Sequence, residues 1–290
     1  MKKNILFIIN PISGGKSKVN IVDVIKQNLS ENLFDSSFEF STSIGHANSL
    51  ATAAVTGNTD IIVAVGGDGT INEVASAVVN SKKIMGVIPC GSGNGLARSL
   101  KISTNKKDAV IQLNRLKIDR IDTGLFNGKN FFNMAGLGFD AQISASFAKD
   151  RTRGLKGYIK TAFDEISQYK NQEYRLEIDG KFIEREAFMI CIANSSQFGN
   201  NAHISPFASL KDGLLDVCII KPFPLYHFPV MGIHMFIKTA HKSKYVEIVK
   251  GKGIRISREE EGVVHLDGEA QIMGKEIEIM VNPLNLSILV

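Results

Sequence analysis

Residues 61–74 read Ile61-Ile62-Val63-Ala64-Val65-Gly66-Gly67-Asp68-Gly69-Thr70-Ile71-Asn72-Glu73-Val74. The unbroken apolar run Ile61 to Val65 predicts a strand buried on both faces. Gly66 to Gly69 end it, and Ile71, Val74, Ala75 and Val78 then recur at helical spacing. Strand, glycine turn and helix in that order make one step of a parallel α/β sheet. Glycines at a strand end let backbone N–H groups approach an anion closely, and the helix that follows turns its positive end toward it. Asp68 stands among these glycines. It reads either as the cap of the helix or as a carboxylate that holds a divalent cation beside a phosphate.

The same step recurs on both sides. Upstream, the apolar run Ile5 to Ile9 meets the turn Asn10-Pro11-Ile12-Ser13-Gly14-Gly15, and Val19, Val22, Ile25 and Leu29 follow at helical spacing. Phe38 and Phe40 mark a second strand, and Ala47 to Val55 a second helix. Downstream, Ile84 to Ile88 is a strand ended by Pro89 and followed by Gly91-Ser92-Gly93-Asn94-Gly95. This alternation predicts a doubly wound parallel sheet over residues 1–120. In such sheets, ligands bind at the carboxyl ends of the strands. None of the three loops has Walker A spacing, and none has the full dinucleotide fingerprint. One glycine loop is usually a tight turn; three on successive strand ends point to a nucleotide-binding domain.

Near Asp119 the pattern changes to strands: Phe131 to Ala135, Tyr174 to Ile178, Phe188 to Ala193, Leu214 to Ile220, Tyr245 to Val249, Val263 to Leu266 and Ile277 to Val281. Residues 121–283 therefore read as a β-rich, sandwich-like domain, and the terminal strand 284–290 is a candidate to join the first domain. Two helices interrupt it, one traced by Leu155, Tyr158, Ile159, Ala162, Phe163 and Ile166, the other at Val230 to Ile237. Asp179-Gly180 and Asp267-Gly268 read as two-residue hairpin turns, and Asp212-Gly213 has the same turn character.

The chain has 290 residues, 44% of them hydrophobic, and a net charge of +5. Ordinary solubility explains that charge, and an anionic nucleotide or membrane surface fits it; no nucleic-acid motif accompanies it. Cys90, Cys191 and Cys218 are widely spaced in apolar runs and read as buried free thiols of a reducing compartment. The apolar run after Lys2-Lys3 is too short for a secretory signal, and no stretch reaches transmembrane length. His46, at a helix start, reads as a surface residue. Leu225 to Lys244 combines an apolar stretch with Lys238, Lys242 and Lys244, so it is either a core helix with a solvated end or a segment that rests on an anionic bilayer.

Three segments in order, Asn10-Pro11-x-Ser13-Gly14-Gly15, Gly66-Gly67-Asp68-Gly69-Thr70-Ile71-Asn72-Glu73-Val74 and Pro89-Cys90-Gly91-Ser92-Gly93-Asn94, resemble the diacylglycerol kinase-like lipid kinases, a family that includes sphingosine and ceramide kinases. The likeness continues through Arg120-Ile121-Asp122, Lys211-Asp212-Gly213-Leu214 and Leu266-Asp267-Gly268-Glu269, so it spans nearly the whole chain as a minimal bacterial-type catalytic unit. One position departs. Gly95 stands where many bacterial diacylglycerol kinases carry Asp, and Gly91 to Ala97 is closer to the sphingosine and ceramide kinase pattern.

The resemblance implies an ATP- and Mg²⁺-dependent kinase acting on a lipid hydroxyl. It implies a nucleotide site lined by Asn10, Pro11, Ser13, Gly14 and Gly15, with Ser41 or Thr42 nearby. Gly66, Gly67, Asp68, Gly69, Thr70, Asn72 and Glu73 would wrap the phosphates with Gly91, Ser92 and Asn94. Asp212 would bind Mg²⁺ with main-chain carbonyls of Ser209 and Leu214, and Asp68 and Asp122 would join that network. Asp267 or Glu269 would take the proton from the lipid hydroxyl. Rigidity of the shorter side chain favours Asp267, and Glu269 is the alternative. The expected setting is cytoplasmic, peripheral to the inner membrane surface, with a lipid substrate there and a homodimer allowed. A NAD kinase-like small-molecule kinase shares the Asp68 motif but does not predict the one at Ser13 to Gly15. A non-catalytic lipid- or nucleotide-binding module would not require Asp68, Asp212 and the acids at 267 and 269 together.

Overall fold

The quoted stretch forms a strand and a helix of a parallel sheet. The computed structural model describes residues 2–12, 20–149 and 155–290. The chain divides into two units, residues 1–121 with 284–290, and residues 122–283.

In the first unit, β1 (Lys3–Ile9), α1 (Ile21–Asn28), β2 (Phe34–Phe40), α2 (His46–Thr56), β3 (Ile61–Gly66), α3 (Asp68–Val78), β4 (Ile84–Pro89), α4 (Gly95–Ser99) and α5 (Lys106–Leu113) follow one another. The strands lie in the order β2-β1-β3-β4, all parallel. Every residue of β3 is buried, as its continuous apolar run requires. The chain leaves β1 toward β2 on one side and returns to β3 on the other, so the direction of winding reverses between β1 and β3. Such a switch point opens a crevice beyond the carboxyl ends of the two strands. The terminal residues add to this unit: Ile288 pairs in parallel with Met85 of β4, and Val290 N donates to Lys117 O.

β5 (Ile118–Phe126) leads into the second unit. There β6 (Lys129–Phe131), β7 (Met134–Gly138), α6 (Phe139–Lys149), α7 (Leu155–Ile166), β8 (Gln172–Ile178), β9 (Lys181–Ala187), β10 (Met189–Ala193), β11 (Gln197–Gly199), β12 (Ala202–His203), β13 (Leu215–Ile220), α8 (Phe228–Phe236), β14 (Val246–Gly251), β15 (Gly253–Arg258), β16 (Gly262–Leu266), β17 (Glu269–Met273) and β18 (Glu276–Leu289) follow. One sheet runs β14-β13-β10-β7-β16-β17; the residues of β18 that pair with β15 continue through β8 to β9. Alternate residues of both sheets, among them Leu176, Ile178, Ile190, Ile192, Val217, Ile254, Ile256 and Ile279, form one shared core. The opposite face of the six-stranded sheet, with Met189, Cys191, Cys218 and Ile220, packs with Phe139 and Ile143 of α6, Ala162 of α7 and Phe228 of α8. None of the three cysteines is in a disulfide; Cys191 and Cys218 are fully buried, and burial pushes both thiols above their ordinary value, while Cys90 is only partly buried.

Both Asp-Gly turns form. Asp179 and Gly180 have φ of 48° and 81°, and Asp267 and Gly268 have φ of 50° and 90°. Each pair joins antiparallel neighbours with Ile178 opposite Lys181 and Leu266 opposite Glu269. The expected strand Phe131 to Ala135 is instead broken between β6 and β7, because the amides of Phe132, Asn133 and Met134 turn to the Asp267 carboxylate. α6 is a further helix whose periodicity the sequence reading did not pick out.

Candidate active site

The loops after β1, β3 and β4 are joined by direct contacts. Asn10 Nδ2 donates to Thr70 Oγ1 at 3.1 Å, which ties the first loop to the second motif. Asp68 Oδ2 accepts from Asn94 N and Oδ1 from Gly95 N, both at 2.9 Å, which ties the second to the third. A Cβ on Gly91 would lie 2.7 Å from Gly67 Cα, so the two backbones meet where no side chain fits. The buried Asn94, in the left-handed region at φ 52°, closes its own loop by accepting from Gly91 N and donating to Gly91 O. The bends are thus locked, and they leave α3 starting at Asp68 with its N-terminal end at the carboxyl edge of β3. The first amides of a helix have no intrahelical carbonyl to meet, and the dipole adds positive potential there. This arrangement suits phosphate oxygens.

The remaining residues of this set divide by role. Thr70 is buried beneath the loop, and Ser92 and Pro11 are exposed. Ser41 is buried, its N–H bonded to Ile9 O; Thr42 is exposed and bonds to His46 Nδ1. The carboxylate of Glu73 accepts from Gly45 N and Asn48 N at the start of α2, so Glu73 fastens α2 to α3. Asn72 Oδ1 accepts from Ser76 Oγ within α3. Gly66 lies directly under Thr70, leaving no room for a larger residue. Ser13, Gly14 and Gly15 lie outside the described residues.

In the second unit, two aspartates shape one turn. The fully buried Asp122 accepts from Gly213 N at 2.7 Å, and its own N–H donates to Leu210 O. Asp212 accepts from Leu214 N at 3.2 Å and pairs with Lys250 Nζ at 2.9 Å. Lys250 also meets the buried Asp216 at 3.0 Å. Burial opposes the Lys250 charge, but hydrogen bonds to Asp212 and Asp216 outweigh it and hold the amine above its ordinary value. Ser209 Oγ accepts from Lys211 N. Among the described residues no three His, Cys, Asp or Glu side chains are grouped to hold a metal. A hard cation needs only one or two carboxylates when phosphates and water complete its shell. The Asp212 carboxylate is partly exposed, and the Lys250 ammonium is its ion-pair partner here.

At the hairpin between β16 and β17, Asp267 Oδ1 accepts from Asn133 N and Met134 N, and Oδ2 from Phe132 N, at 2.8–2.9 Å. Glu269, two residues on, is exposed, and its carboxylate has no hydrogen-bond or ion-pair partner among the described residues. Beneath the turn lies a pair that the sequence reading missed. Buried His265 Nε2 sits 2.6 Å from buried Asp140 Oδ2, and Gly268 N donates to His265 Nδ1 at 3.3 Å. Gly136 makes the space, since any Cβ there would collide with both His265 and Asp140. No spacing rule links residues 140 and 265; only pairing of β7 with β16 brings them together.

Residues 4–126 match the model of the diacylglycerol kinase catalytic domain, and residues 133–290 that of the YegS C-terminal NAD kinase beta sandwich-like domain. A curated diacylglycerol kinase of Bacillus subtilis (strain 168) is 28% identical over 274 residues, covering 92% of this chain and 90% of that one. The crystal structure of a diacylglycerol kinase from Bacillus anthracis superposes with a TM-score of 0.77 at 20% identity, over 99% of this chain and 96% of that one. An NAD kinase from Archaeoglobus fulgidus, crystallised in complex with ATP, gives a TM-score of 0.53 at 15% identity over 100% and 94% of the two chains.

Proposed function

From the premise that the chain belongs to the diacylglycerol kinase family of lipid kinases, we propose that it transfers the γ-phosphoryl group of ATP to the hydroxyl of a lipid, diacylglycerol first among the candidates. The observation that carries this reading is the joining of Asn10, at the end of β1, to the two glycine loops after β3 and β4 at the carboxyl ends of the parallel strands, through Asn10–Thr70, Asp68–Asn94 and the Gly67–Gly91 approach. Phosphoryl transfer needs little covalent help from a protein; positioning and charge compensation supply most of the rate. The phosphates lie against Gly66 to Thr70 and the start of α3, with Ser92 as a hydroxyl donor. Asp68 acts by holding Asn94 and Gly95 in place. The first loop, with Asn10 and Pro11, borders the nucleotide.

Asp212 is the carboxylate we assign to Mg²⁺, with the carbonyls of Ser209 and Leu214 as further oxygen ligands, since a hard cation that keeps several waters needs only one or two carboxylates. Asp122 holds that turn through Gly213. The proton of the lipid hydroxyl goes to Glu269. Rigidity alone favours Asp267, but its carboxylate is occupied by three amides, as that of Asp179 is by Lys252 N and Gly253 N in the other Asp-Gly hairpin. Two aspartates in equivalent turns doing equivalent work support a clamp role for Asp267, and Glu269, which has no partner among the described residues, is the acid left open to substrate.

Transfer of label from γ-labelled ATP to a panel of diacylglycerol, sphingoid base, ceramide and phosphatidylglycerol, with NAD⁺ as a parallel acceptor, tests the proposal. Labelled lipid supports it. Labelled NADP⁺ with no labelled lipid replaces it by the NAD kinase reading. Loss of Mg²⁺-dependent turnover in Asp212→Asn tests the metal.

A further inference from the structure

Between Asp216 and Glu247 the chain contains no acid and four lysines, and from Leu225 to Ile237 it has no Asp, Glu, Lys or Arg. α8 lies within this stretch. An amphipathic surface helix places its apolar stripe inward and charge outward. α8 instead carries two apolar stripes. Phe228, Met231 and Met235 face the core, where Phe228 meets Phe139 with ring centroids 5.9 Å apart. On the other side Val230, Ile233 and, at the helix end, Ile237, spaced by three and four residues, are 43%, 58% and 60% exposed, and Tyr226 in the 3-10 turn that precedes α8 is 76% exposed.

The outward stripe has a basic border. Lys238, Lys242 and Lys244 are exposed and have no carboxylate partner among the described residues, unlike Lys221, which pairs with Glu247. The border adjoins the stripe, since Val230 lines one shallow groove together with Lys244 and Tyr245, and Lys244 Nζ lies 5.0 Å from the Tyr245 ring. An uncharged apolar helix face edged by lysines on an acid-free segment complements a surface that is apolar inside and anionic at its rim. A phospholipid bilayer has that profile.

We propose that the outward face of α8 docks the protein on an anionic membrane, with the stripe from Tyr226 to Ile237 at the acyl boundary and the three lysines among the head groups. The choice of a bilayer over a protein partner rests on the lipid kinase reading, because an acceptor with two acyl chains is found in a membrane. Adjacent lysines contribute about fivefold each to partition onto anionic membranes. Apolar residues add attraction that does not depend on lipid charge.

The test is co-sedimentation of the full chain with phosphatidylcholine vesicles and with vesicles of phosphatidylcholine and phosphatidylglycerol, beside Ile233→Asp and the triple change Lys238→Gln, Lys242→Gln, Lys244→Gln. The expected result is preference for anionic vesicles, a drop of about a hundredfold in that partition for the triple variant, and loss of binding to both vesicle types for Ile233→Asp. Circular dichroism checks that the variants keep the fold, and Val230→Asp replaces Ile233→Asp if that variant does not. Undiminished vesicle binding by the variants overturns the proposal. So does light scattering that shows a wild-type dimer split by Ile233→Asp, because the face would then belong to a second copy. The lipid kinase reading is judged apart from this. Failure to label any lipid while vesicle binding still depends on Ile233 would sink that reading and leave the membrane face standing. Normal labelling of a dispersed short-chain acceptor with variant-independent vesicle binding would do the reverse.

Discussion

Asp267 and Glu269 are separated by one glycine yet sit in different chemical situations. General-base catalysis contributes ~10²–10⁴-fold. Glu269→Gln is therefore expected to lower turnover by that factor, with thermal stability and ATP affinity unchanged. Asp267→Asn takes the charge from the acceptor of all three amides and turns an NH2 donor toward at least one of them, and hydrogen bonds to charged groups contribute about 1.5–3 kcal/mol each. Its main effect is expected in the melting temperature, by several degrees, with turnover falling only as far as the turn loosens; the reverse pattern in the two variants would restore Asp267 as base. His265 adds a pH signature. Burial disfavours the charged imidazole, but the Asp140 carboxylate outweighs it and holds His265 above its ordinary value. The second proton strengthens the pair with Asp140 and gives up the long bond from Gly268. The stability from this pair is fully present below the ordinary histidine value near 6.5 and fades as pH rises through the raised value. The melting-temperature gap between wild type and His265→Gln should therefore be wider at pH 5.5 than at pH 8, and a gap that widens with pH would contradict the assignment.

At the scale of elements, Asp179 is the control for Asp267. Its carboxylate takes the amides of Gly253 and Lys252, which hold it below the usual carboxylate range. Asp179→Ala should lower the melting temperature slightly and leave turnover untouched. Gly91→Ala should do more, since the added methyl meets Gly67 Cα and Asn94 Oδ1 at under 3 Å, both fixed parts of the locked loops. ATP affinity should drop at least tenfold, read by calorimetry. What the sequence disclosed follows the range of the forces involved. β1, β3 and β4 were legible because a strand buried on both faces must be apolar throughout, and the two Asp-Gly turns because φ above zero favours those residues. The break at Phe132–Asn133 was not legible, because its cause is a carboxylate more than 130 residues away. The membership of Asp68 in a nucleotide loop was readable from its glycines; that its oxygens serve Asn94 and Gly95 was not, since helix capping and metal binding call for the same residue at the same place. The Asp140–His265 pair left no trace in local pattern at all.

At the scale of the molecule, each unit has its own core and its own share of the residues assigned to the reaction. Ligand that binds only the folded chain stabilises it by about 2.7 kcal/mol at a hundredfold excess over the dissociation constant. Saturating Mg-ATP should raise the melting temperature, and NAD⁺ alone should not. The distribution of the three thiols adds a practical possibility. Cys191 and Cys218 are sealed in the second unit, and burial keeps both protonated. Cys90 is partly exposed and stands directly before Gly91, its amide bonded to Gly66 O. Cys90 is thus the thiol expected to take a maleimide dye in the native protein, one residue before the glycine loop that begins at Gly91. Labelling kinetics should show one fast thiol that slows when ATP is added, and a fluorophore there would make the unmodified sequence its own occupancy sensor.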